Sequence, residues 1–77
     1  MKKKFPVANY RQISRVARKL GFYLHKNLRG SHEIWKRDYD DRYTTIPNHG
    51  SHPLKRKTLK SILEDFNITI DVFSELI

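Results

Sequence analysis

Apolar residues recur in two rhythms along this chain. Ile13, Val16, Ala17 and Leu20 fall at i, i+3, i+4 and i+7, one stripe on an otherwise basic helix. Asn9 stands where an N-cap belongs, and Gln12 three residues on completes a capping box. Gly21 follows the stripe, where a left-handed residue closes a helix. From Phe22 the rhythm shortens to two, and Phe22-Tyr23-Leu24-His25 alternates like a half-buried strand. Residues 27–30 supply turn chemistry and residues 31–37 read as a second strand. The polar run 38–41 leads into a short third strand over 43–46, halted by Pro47. A loop covers 48–53. Leu59, Ile62, Leu63 and Phe66 restore the helical spacing, with Asn67 as a stop. Thr69 caps a last short helix carrying Val72, Phe73 and Leu76.

The predicted class is α+β: helix, three strands, helix and a short C-terminal helix. Short connections make the strands an antiparallel meander. Each long helix has one apolar stripe, so both pack on one face of the sheet and leave the other open.

Side chains alternate across a strand, so His32 and Trp35, three apart, point to opposite faces. Trp35 belongs to the core, against Leu20, Leu59, Phe66 or their neighbours. His32 then lies on the open face with Ile34 and Lys36, joined by Tyr23 and His25 if Phe22 and Leu24 point inward. Cations beside rings suit RNA, holding phosphates and stacking on bases. A plain solvated face satisfies the same pattern, and Ile34 is the kind of apolar spot that a protein partner covers.

Charge sharpens this picture. Sixteen Lys and Arg against eight Asp and Glu give a net charge of +8 over 77 residues. Residues 1–37 hold eleven basic side chains and one acidic, whereas residues 38–77 hold five and seven. A surface polarised this way attracts polyanions, RNA and DNA foremost. The length fits one domain, residues 9–77, behind a basic tail over residues 1–8. Cysteine is absent, which removes disulfides and thiolate metal sites and points to a cytoplasmic location. The basic start has no apolar run behind it, which argues against a signal peptide, and no segment suits a membrane span.

A metal reading is weak. His49 and His52, with His32, would need to converge tetrahedrally from a loop without cysteine or local carboxylate. Asp38, Asp40 and Asp41 occupy a hairpin tip, poorly preorganised for magnesium. No metal and no cofactor are expected. Lys55, Arg56, Lys57 and Lys60 open the second helix, where free N–H groups favour an anion such as phosphate.

Three short motifs carry a family resemblance: Gly30-Ser31-His32 with an aromatic three residues after the histidine, Ile46-Pro47-Asn48-His49, and the run from Leu54 to Leu63. In this order, over about Gln12 to Phe73, the chain resembles the HicA toxins, small mRNA interferases of toxin–antitoxin pairs. The resemblance implies a double-stranded-RNA-binding-like fold. It further implies a metal-independent endoribonuclease acting on mRNA, neutralised by a HicB-type antitoxin that covers His32. The family's catalytic histidine carries over onto His32. His49 matches the histidine after the proline, with its role open. Where the family has a glycine before the threonine-leucine of the second helix, this chain has Lys57.

The chemistry implied is transfer of the 2′-hydroxyl proton to His32, with cations stabilising the phosphate. Lys26, Arg29 and Lys36 are the nearest in sequence, Lys55, Arg56, Lys57 and Lys60 the helix-terminal set. Gly30 and Ser31 support the turn that presents His32. A non-catalytic RNA- or DNA-binding module of the same fold is the alternative.

Overall fold

A computed structural model of the protein describes residues 5–77. Helix α1 spans Tyr10–Lys19, followed by strands β1 (Tyr23–Asn27), β2 (His32–Arg37) and β3 (Arg42–Pro47), then α2 (Arg56–Phe66) and α3 (Ile70–Leu76). The strands form one antiparallel sheet in the order β1-β2-β3. The architecture is α+β, as the periodicity predicts.

Local chemistry sets the element ends. The Asn9 side chain accepts from the Gln12 N–H while the Gln12 side chain accepts from the Asn9 N–H, so the capping box is complete. Gly21 leaves α1 at φ 91°, a left-handed conformation that glycine adopts without strain. Asn67 ends α2 in the left-handed region, and the Thr69 side chain accepts from the Val72 N–H to start α3. Lys57 is an ordinary residue in the first turn of α2, which starts at Arg56 with no positive φ where the family has glycine.

The helices bury their stripes on one face of the sheet. Ile13, Val16 and Ala17 meet Leu59, Ile62, Leu63 and Phe66 around Trp35, Phe22, Ile46 and Phe73. Trp35 is 1 % exposed, with the Arg18 guanidinium 5.2 Å from its ring centre. Leu20 is only partly buried at the end of its helix. Burying a side chain of this kind contributes about 1.5–3 kcal/mol.

Two departures from simple alternation matter. A β-bulge between Leu24 and Lys26 inserts His25, so Lys26 pairs with Ile34 and turns to the open face. Leu24 sits opposite Trp35 on the inner side, yet remains exposed on the edge strand. Of the segment expected as a tail, residues 1–4 lie outside the described residues. Ala8 is 1 % exposed, its carbonyl accepts from the Leu54 N–H at 2.8 Å, and Phe5 packs against the core.

Candidate active site

The beginning of β2 is fixed on both sides. The His32 carbonyl accepts from the Leu28 N–H at 2.8 Å, and the Ser31 carbonyl accepts from the Asn48 N–H at 2.7 Å. Gly30 turns the β1–β2 connection at φ 69°, a value that would strain any other residue except asparagine or aspartate. His32 is thereby held on the open face, as the parity argument places it, with Glu33 and Trp35 alternately pointing inward.

His32 lines a groove of about 420 Å³ together with Thr45, Pro47, His49, Pro53, Leu54, Lys55 and Thr58. His32 at the start of β2, His49 from the loop after β3 and Lys55 thus share one recess. His49 comes from the turn after β3, shaped by Gly50 at φ 62° and by its N–H donating to the Asn48 side chain. Lys55 stands at the N-cap of α2 with no side-chain capping bond, and the Leu54–Ala8 backbone bond anchors the segment before it. The groove combines hydrogen-bonding imidazoles, a cation and an apolar floor, and no carboxylate lines it.

The other expected cations are distributed more widely. Lys36 lies two steps further along the same face of β2, within 3.5 Å of Asp41. It lines a separate recess of about 260 Å³ with His25, Ile34, Asp41 and Tyr43. Lys26 is beside Ile34 on the open face, and Arg29 is exposed in the β1–β2 turn. The Arg56 guanidinium stacks 4.9 Å from the centre of the Phe5 ring, while Lys57 and Lys60 are exposed on α2. Gly30 and Ser31 border the site on its other flank. Among the described residues no three His, Cys, Asp or Glu side chains are grouped to hold a metal ion, His52 included.

Glu33 is the residue that sequence reading passed over. It is 7 % exposed and accepts from the Tyr10 hydroxyl at 2.6 Å and from Trp35 Nε1 at 3.1 Å. Its spacing of two from Trp35 was the available signal, since that places both on the buried face. Burial and then the bond to Glu33 raise the Tyr10 pKa to about 12.

A three-stranded sheet backed by helices, with a histidine-bearing groove at one end and a net charge of +8, defines a small basic α+β protein. The family profile described as the HicA toxin of bacterial toxin–antitoxin matches residues 10–68, and the chain belongs to that family. It is therefore the toxin of a toxin–antitoxin system, which implies an antitoxin as its partner. No curated protein matches the chain at a significant level. None of its helices is long and apolar enough to cross a membrane, among the described residues.

Proposed function

We propose that this toxin is an endoribonuclease that cuts mRNA in the cytoplasm without a metal ion, using His32 as general base. The observation that carries the reading is that His32, His49 and Lys55 line one groove. Histidine titrates near neutrality and can accept the 2′-hydroxyl proton. The 2′-oxygen then attacks the adjacent phosphorus, the bond to the 5′-oxygen breaks, and that oxygen takes a proton as it leaves. His49 borders the same groove and supplies that proton. Lys55 stabilises the charge on the phosphate oxygens. The products are a 2′,3′-cyclic phosphate and a 5′-hydroxyl. The chemistry needs no oxygen-rich cage of the kind magnesium requires, and the groove offers none.

Lys26, Arg29, Lys36, Lys57 and Lys60 serve as the wider phosphate-binding surface, with Arg56 at its edge. A HicB-type antitoxin inhibits by covering His32, and acidic groups on it would suit the +8 charge of the toxin.

The test is cleavage of a labelled RNA in EDTA by the wild type and by His32→Ala, with circular dichroism matched. Cleavage by the wild type and loss of about 10²–10⁴-fold in the variant is the expected result. RNA binding without cleavage by either protein would make the toxin a non-catalytic binding module. Equal cleavage by both would remove His32 from the chemistry.

A further inference from the structure

A second recess lies on the other flank of the same strand end. Asn27, Gly30, Ser31, Glu33 and Asn48 line a pocket of about 350 Å³. The two recesses interleave along the chain. His32, Pro47 and His49 belong to the catalytic groove, while Ser31, Glu33 and Asn48 belong to the pocket. The side chains of His32 and Glu33 point to opposite faces of β2, so the two recesses flank the strand end, and an RNA strand that crosses this end passes both.

The polar groups of this pocket are not all engaged. Tyr10 and Trp35 both donate to Glu33 Oε1, and Oε2 accepts no hydrogen bond among the described residues. No buried side-chain oxygen or nitrogen among those residues lacks a partner, so Oε2 is not sealed in the core, and Glu33 is one of the residues that line the pocket. A carboxylate oxygen in so enclosed a position gains from a donor. The Asn48 side-chain oxygen is occupied by the Gly50 N–H at 3.2 Å, which leaves its NH₂ free to donate. The pocket therefore offers a strong acceptor beside a neutral donor.

We propose that this pocket holds a base of the RNA substrate and prefers adenine, cytosine or guanine, which carry an exocyclic amino group, over uracil. The proposal rests on the ribonuclease reading for its ligand. Adenine and cytosine present an amino group next to a ring-nitrogen acceptor, which pairs with Glu33 Oε2 and the Asn48 NH₂. Guanine presents an amino group next to a ring N–H, two donors for one carboxylate. Uracil flanks its single N–H with two carbonyl oxygens, which the carboxylate repels. Recognition by a buried hydrogen-bonding group discriminates more sharply than shape alone, because the wrong base leaves that group unpaired. Glu33 is thus a specificity residue, while His32 acts on the phosphate.

Binding is measured with the non-cleaving His32→Ala protein, by fluorescence anisotropy of labelled uridine pentamers. Each carries one central adenosine, cytidine, guanosine or uridine. The amino-bearing pentamers should bind about tenfold more tightly than the all-uridine one, the size of one net hydrogen bond. Adding Glu33→Gln keeps an acceptor for Tyr10 and Trp35 but replaces Oε2 by a donor, and it should reduce the preference to about parity. Asn48→Ala, at an exposed position, should narrow it severalfold and serves if the glutamine variant is unfolded. Equal binding of all pentamers would overturn the pocket while leaving RNA binding intact. An unchanged preference in Glu33→Gln would make Glu33 a structural acid only. Failure to bind any RNA would remove the pocket and the ribonuclease reading together.

Discussion

The two ends of β2 are built on opposite plans. At the Arg37 end almost every polar group is spent on the protein itself. Arg37 donates to both oxygens of Asp40, at 3.0 and 2.7 Å, and to the Leu20 carbonyl at 2.9 Å. Its guanidinium lies 4.6 Å from the ring centres of both Phe22 and Tyr39. Asp40 also meets Arg42 at 3.3 Å, and Asp38 accepts from the Tyr23 hydroxyl. At the His32 end the backbone is held by two short hydrogen bonds, yet His32, His49 and Lys55 make no side-chain hydrogen bond among the described residues. One end spends its polar groups on the β2–β3 connection and on the C-cap of α1. The other leaves its side chains uncommitted within the protein, the pattern by which functional sites commonly depart from the internal satisfaction seen elsewhere in a fold.

The contrast can be broken by substitution. The largest expected effect is on turnover: His32→Ala should cost about 10²–10⁴-fold in RNA cleavage while leaving the melting temperature unchanged. At the opposite end Arg37→Ala should do the reverse. Removing the guanidinium leaves Asp40 without its bidentate partner and Phe22 uncovered, for about 2 kcal/mol of lost stability by thermal or urea unfolding, with RNA binding per folded molecule retained. Lys55→Ala should reduce cleavage about tenfold with little change in stability, the weight of one phosphate contact.

Smaller effects sharpen the comparison through pH. Tyr10→Phe removes the hydroxyl held by Glu33 and should cost about 1 kcal/mol. Because the folded Tyr10 pKa is raised from 10.0 to about 12, its stabilising share is full below pH 10 and is lost as pH rises through 12. Alkaline titration of the two proteins, followed by circular dichroism, should show that part of the loss disappearing in Tyr10→Phe. Asp40 has the opposite sign. Its hydrogen bond to Arg37, foremost, lowers its pKa from 3.8, so its contribution is present above that value and disappears as pH falls through the lowered one. Asp40→Asn should flatten the stability decline in this acid range, although the variant starts less stable at neutral pH.

What could be read beforehand divides by range along the chain. The Asn9–Gln12 capping box and the Asn67 and Thr69 boundaries depend on residues three or four apart, and the sequence displays them openly. The opposite facing of His32 and Trp35 follows from strand parity alone. The face of Lys26 could not be read the same way, because a bulge at His25 shifts the strand after it by one residue. The sharing of one groove by His32, His49 and Lys55 was not legible: the resemblance left the role of His49 open, and local spacing does not show which segment ends meet. Arg56 belongs with the expected cations by sequence, but its stacking on Phe5 depends on a contact across most of the chain. Glu33 was legible in principle and was passed over because an acidic residue in a basic segment reads first as surface.

The bulge has a consequence for life at high concentration. β1 is one of the two outer strands of the sheet, and all five of its residues are exposed. An edge of this kind is a template on which another extended chain can add, copy upon copy. The extra residue at His25 breaks the regular hydrogen-bonding rhythm, and Lys26 places a charge beside the break, so a newcomer would lose register after two residues. On this side the sheet therefore resists growing sideways into a ribbon, without a further layer to shield that edge.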